Sequence, residues 1–444
     1  MIRRAGLLAA LALALTTMPG RAAPPAVLAG IDMPAAADAF WRAQADRLPL
    51  VEPVPGKPDR MRVTFLWRQA GDGAVALSAG FLLDERRDVA PLERLAGTDI
   101  HYLVRELPAD AAFSYYFVTP ARAAPRPDAV WHDEGEDGGR DYLADPMARQ
   151  SYEEQGEDGR IRRLSWLSGP AAADRQALFA APPQGRWTDY RIDSKALGEA
   201  RAVSVYVPRG VERAAAPGLL LIFDRESYRI AGRLPSMLDA LVAAGRIRPT
   251  VALLVSPMDD ARRGRDLPPN APFQAFIADE LIPFVRARYP LSADTADNVV
   301  AGSSYGGLAA LHSALEHPGI FGNVIAQSAS LWWYPACCGP DRDEAQADLP
   351  IDAGPDADMG WLIERYATAP RADIRIDMNV GRWEGALMLI PNRMMHHVLR
   401  AHGYDVHYSE YSGGHDIIQW RATLPDALER LLPPAPSHIP KRKE

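Results

Sequence analysis

From Arg186 to the C-terminus the chain repeats one pattern, a short apolar run followed by a stretch of helical character. The apolar runs fall at Ala202–Val207, Leu219–Phe223, Val251–Val255, Val299–Ala301, Val324–Ala326, Ile374–Val380 and Val406–Tyr411. Helices are predicted over Ser236–Ala244 with Gly245 as a stop, Phe273–Arg288, Gly307–Glu316, Asn392–His402 and about Leu424–Leu432. Continuous apolar strands separated by helices can be buried only in a mainly parallel sheet covered on both faces, so an α/β domain over 186–435 is expected.

The part before it has a different period. In Met61-Arg62-Val63-Thr64-Phe65-Leu66-Trp67-Arg68, residues 61, 63, 65 and 67 are apolar, the mark of a strand with one buried face. Comparable runs lie at Val75–Phe81, Ile100–Glu106 and Phe113–Thr119, which predicts an antiparallel, immunoglobulin-like all-β sandwich over 35–165. Pro120–Asp141, rich in Pro, Gly and acids, is expected to be loop. Residues 166–185, with Pro182-Pro183, are expected to be a linker.

The first 22 residues have the order of a secretory signal. Arg3 and Arg4 precede an apolar run from Ala5 to Leu15, and small residues follow around Arg21. The run is too short to span a bilayer comfortably, so an exported, periplasmic protein with no stable membrane insertion is expected. Loss of three arginines takes the net charge from -8 to -11. Such a balance argues against a nucleic-acid partner. Two cysteines, Cys337 and Cys338, are too few for a disulfide framework or a cysteine zinc site, and no metal or cofactor is expected.

The chemistry is expected where the alternation is most regular. The apolar strand ending at Ala301 runs into Gly302-Ser303-Ser304-Tyr305-Gly306 and at once into a helix. A G-x-S-x-G turn between strand and helix lifts the serine oxygen above the sheet edge, which makes Ser304 the candidate nucleophile; the plainer alternative is a glycine-rich turn with Ser304 as a helix cap. His415, on the glycine-flanked loop after the last strand, is the candidate base. Glu384, just after Ile374–Val380, is the candidate acid that orients it, with a Ser–His pair as the rival arrangement.

These residues, with their neighbours, resemble the bacterial enterochelin (enterobactin) esterases. The resemblance rests on residues 63–68 and 102–107, Asp145-Pro146, Gly302–Leu308, Gln327–Trp333, Gly413-Gly414-His415-Asp416 and Arg265–Asn270. It implies an α/β-hydrolase fold behind the sandwich and a serine esterase that opens the trilactone of a ferric catecholate siderophore. Two departures stand out: Arg225 occupies a loop position where the family usually has glycine, and the two-domain members are usually cytoplasmic. The remaining alternatives are an esterase or acyltransferase acting on another ester, such as a feruloylated carbohydrate, and a non-catalytic periplasmic binding protein.

An oxyanion hole is expected from the backbone N–H of Tyr305 and one around Arg225. An anionic aromatic substrate calls for cations and flat surfaces, so Arg265, in a loop with Arg262 and Arg263, is expected to bind it, together with Trp332 and Trp333. For Cys337 and Cys338 two states stay open, reduced thiols or a strained vicinal disulfide.

Overall fold

A computed structural model describes residues 25–44, 47–71, 73–82, 89–120, 126, 129–133, 139–155, 159–335 and 360–434. Residues 1–22, like Cys337 and Cys338, lie outside the described residues.

The second half is built on an eight-stranded sheet, in the order Arg186–Ser194, Glu199–Val207, Thr250–Val255, Gly218–Ile222, Asn298–Ser303, Asn323–Gln327, Arg375–Gly381 and Asp405–Tyr411. The first three pair antiparallel and the remaining joins are parallel. Strand Gly218–Ile222 shows why its run is apolar throughout. Leu219 and Leu221 enter the core on one face, while Leu220 and Ile222 enter the core on the other.

The front part holds two antiparallel sheets. One runs Leu50–Val54, Lys57–Arg68, Ile100–Pro108, Glu93–Arg94; the other is centred on Ala112–Pro120, paired with Ile161–Ser168 and Ala76–Ala79. Met61, Val63, Phe65 and Trp67 of the first sheet share one buried cluster with Leu77, Phe113, Tyr115 and Phe117 of the second. Trp383, from the second half of the chain, belongs to that same cluster. In return, Ala112, Tyr152, Leu164 and Trp166 pack with Tyr228, Leu234 and Ile418. The two parts therefore share buried surface in both directions.

Four expectations change. Pro120–Asp141 is not all loop, since Ala129–Asp133 pairs with the strand Arg140–Leu143, which in turn pairs with Ala112–Pro120. The linker contains a short helix, Gln176–Ala180, pinned by buried Phe179. The stretch holding Arg262, Arg263 and Arg265 is a helix, Asp260–Asp266, started by the Asp259 carboxylate accepting from Arg262 N. The helix placed at Asn392–His402 begins earlier, at Gly385, and carries Pro391 within it. Among the described residues no helix is long and apolar enough to cross a membrane.

Candidate active site

Ser304 is the hinge between strand Asn298–Ser303 and helix Tyr305–Glu316, and its backbone lies at φ 57°, ψ -124°. A non-glycine residue rarely holds that conformation, and such strain concentrates at functional sites. Glycine makes the turn possible: a Cβ on Gly302 would lie 2.5 Å from the carbonyl carbon of Gly306, and one on Gly307 would lie 3.1 Å from Ala329. The Ser304 N–H donates to Gln327 O at 3.0 Å, and Ser304 O accepts from Ser330 N at 3.1 Å. Its side chain makes no capping bond, and its Oγ lies 3.4 Å from Ser330 Oγ. The hydroxyl is thus not spent as a helix cap. Ser303, buried beneath it, lines the adjoining cleft.

His415 and Glu384 meet. His415 Nδ1 lies 2.7 Å from Glu384 Oε2, with the acid's side chain wholly buried and the imidazole 35% exposed. Glu384 Oε1 accepts three further bonds, from Ser328 Oγ at 2.6 Å, Gly381 N at 2.6 Å and Tyr411 Oη at 3.1 Å. A buried carboxylate left without such partners would be costly. Ser328 is fixed in turn by Trp420 Nε1 at 3.0 Å, and the Trp420 ring stands edge-on to His415 at 4.8 Å. Gly381 leaves the room all this requires, because a Cβ there would fall 2.4 Å from Gly413 O and 2.8 Å from Glu384 Oε1. No hydrogen bond joins Ser304 to His415 among the described residues; such contacts commonly tighten only with substrate bound.

Tyr305 and Arg225 each begin a helix at the carboxyl edge of the sheet, Tyr305–Glu316 and Arg225–Arg229. The strands ahead of these helices are parallel neighbours, which places the two turns side by side. The left-handed residue of the second turn is Asp224, at φ 57°, while Arg225 is already helical. Glycine is therefore not required at 225, and aspartate tolerates the left-handed conformation better than most residues. The Arg225 side chain turns away to Glu226 and to Ser204 Oγ.

The arginines differ from expectation. Arg265 is bound by Glu199 and Asp266, and Arg262 by Glu199 and Asp259; neither lines the cleft beside His415. Arg263 does line it, held by two bonds to Asp224 at 2.7 and 2.9 Å, with its guanidinium 5.7 Å from the Tyr305 ring centre. Trp332 is half-buried, its ring 5.9 Å from Tyr305. Trp333 is buried in the core against Trp361 and forms no wall of the site.

The cleft measures about 530 Å³ and is lined by residues from both parts of the chain. Ser114, Tyr116, Tyr152 and Glu154 of the front sheets face His415, Asp416 and Trp420. Ser114 Oγ donates to Asp416 Oδ2 at 2.6 Å, tying the histidine loop to the front part. The cleft is acidic rather than cationic. Among the described residues, Glu154, Asp224, Glu226, Asp259, Asp260 and Asp416 stand against Arg263 alone. Burial, with the Asp416 charge beside it, pushes the Glu154 carboxyl up to about 7. Sequence reasoning missed the front residues, whose local pattern is that of any strand.

A family model described as "Putative esterase" matches residues 194–431, and one described as "Enterochelin esterase, N-terminal" matches residues 62–178. The chain is 32% identical over 434 residues to the iron(III) enterobactin esterase of Dickeya dadantii (strain 3937), covering 90% of this chain and 94% of that protein. It is 29% identical over 397 residues to the iron(III) salmochelin esterase of Escherichia coli O6:H1, covering 88% and 92%. Among solved structures, the enterobactin esterase of Shigella flexneri in the presence of enterobactin superposes with a TM-score of 0.70 at 25% identity, covering 89% of this chain and 97% of that one.

Proposed function

The chain belongs to the enterochelin esterase family, and from that premise we infer that it is a serine esterase that cleaves the trilactone ester bonds of a ferric catecholate siderophore. The observation that carries this reading is the His415–Glu384 pair at the same sheet edge as a strained, uncapped Ser304. Ser304 Oγ attacks the ester carbonyl while His415 Nε2 takes its proton, and the Glu384 carboxylate holds Nδ1–H and stabilises the imidazolium. The tetrahedral oxyanion is met by the N-terminal end of helix Tyr305–Glu316 and by the backbone of the Arg225 turn. Collapse breaks the ester C–O bond, and His415 returns the proton to the departing serine alkoxide. Water, deprotonated by the same imidazole, then attacks the acyl enzyme and regenerates Ser304. Iron enters as part of the substrate, and no step passes through it.

We read the front part as an immunoglobulin-like sandwich that ends with strand Ile161–Ser168, and residues 186–435 as the hydrolase. The first 22 residues act as a signal peptide in this reading, so the mature enzyme works in the periplasm; N-terminal sequencing of periplasmic material checks this. For the chemistry, a fluorophosphonate probe should label the protein but not Ser304→Ala, and that variant should hydrolyse ferric enterobactin slower by several orders of magnitude. Near-normal turnover in a folded Ser304→Ala protein would overturn the mechanism. Turnover of feruloyl esters but not of enterobactin would move the substrate assignment.

A further inference from the structure

A second and larger cavity, about 750 Å³, lies behind Tyr152, which lines both it and the cleft. Its walls come from strands Ser151–Gln155 and Ile161–Ser168, the connector, and helices Leu234–Ala243 and Ile417–Leu431. Its charge is opposite to that of the cleft: among the described residues four arginines face it, with Glu153 as its one carboxylate. We infer that this chamber is a binding site for an aromatic anion, a flat ring carrying carboxylate or phenolate charge, separate from the hydrolytic centre.

The state of the arginines supports this. On helix Asp260–Asp266, Arg262, Arg263 and Arg265 are all committed to carboxylates. In the chamber, Arg229, Arg233 and Arg421 have none within ion-pair distance among the described residues. Arg421 is only 5% exposed, and one N–H is committed, to Ala231 O at 3.1 Å. Burial lowers its pKa to about 10, so it remains charged at neutral pH. The Asp416 charge acts on it from beyond ion-pair distance, and an incoming anion offsets the remaining cost of a buried cation with no paired carboxylate.

Flat surfaces accompany the charge. The Arg421 guanidinium lies 5.1 Å from the Trp166 ring centre, and that of Arg229 lies 4.4 Å from Trp187. Guanidinium groups over aromatic rings, with Arg421 also 5.3 Å from the Phe179 ring centre, bring together the charge and the flat surfaces that an aromatic anion binds. The cavity lies within the size range of small-molecule sites. The inference stands on the chamber itself and holds whatever ester Ser304 cleaves.

The test is calorimetric titration of full-length Ser304→Ala protein with 2,3-dihydroxybenzoate, which separates binding from turnover. Arg233 and Arg229 are exposed, so their replacement leaves the core intact. Arg233→Glu and, independently, Arg229→Ala should each raise Kd about tenfold or more, and the neutral 2,3-dihydroxybenzamide should bind about tenfold more weakly than the acid. Arg263→Ala, in the acidic cleft, should leave Kd within about twofold. No binding at millimolar ligand, an unchanged Kd in both chamber variants, or a loss in Arg263→Ala that matches theirs would each overturn the assignment.

Discussion

The indole of Trp383 stands edge-on to Phe113 at 5.6 Å, inside the core of the front sheets, although Trp383 immediately precedes Glu384 on the hydrolase. Phe81 flanks it at 6.0 Å. The acid whose carboxylate meets His415 Nδ1 is thus anchored through its neighbour in the other part of the molecule. Trp383→Ala should cost about 3–5 kcal/mol of stability by leaving a cavity. In the variant that remains folded, kcat should fall while KM stays near its original value, because the slack is in the acid and not in the substrate contacts. Trp383→Phe should restore most of both; denaturant titration and steady-state kinetics read the two effects.

Replacing Glu384 by glutamine preserves shape and removes charge. The His415 ring loses the anion that fixes its tautomer, and kcat should drop by about two to four orders of magnitude. Circular dichroism should show an unaltered fold. A loss below tenfold would indicate a Ser–His pair that works without its third member.

Gly381→Ala probes the same place sterically. The added Cβ would press on Gly413 O and Glu384 Oε1, so strand Arg375–Gly381 and the histidine loop must part. Stability should fall by about 1–3 kcal/mol, and turnover should fall with it. Retention of full turnover would show that the His415–Glu384 contact tolerates displacement.

Glu154 gives the cleft a pH signature. Its carboxyl is raised from an ordinary value of 4.5 to about 7, so the native state binds the proton more tightly than the unfolded chain does. This contribution to stability is fully present below the unfolded value and is lost as pH rises from there through about 7. Glu154→Gln should remove that decline, gaining on the natural protein by roughly 1–3 kcal/mol between acid and pH 8. Melting curves of both proteins across this range test it; a constant difference between them would refute the shift.

The positions of Ser304, His415 and Glu384 were legible because each follows a recognisable strand and has its own short-range mark, glycines in two cases and an isolated acid in the third. What was hidden depends on partners distant in the chain. The arginine stretch contains Gly264 and no apolar stripe, so it reads as loop, although Asp259 ahead of it was a usable capping signal. That Arg265 belongs to Glu199, 66 residues away, leaves no trace in either neighbourhood. The same holds for Trp333, whose burial against Trp361 removes it from the rim. The charge of the cleft was also unreadable, because Glu154 and Asp416 are brought together only by the packing of one part on the other.

The backbone of Ser304 also limits which descendants this centre can have. Threonine carries the same hydroxyl and serves other hydrolases as a nucleophile. At φ 57° and ψ -124°, however, its extra methyl would crowd a conformation that β-branched residues almost never hold. An exchange that is chemically conservative is thus sterically closed here. Any lineage that swaps the attacking atom must pass through cysteine, or rebuild the turn before it can change the chemistry.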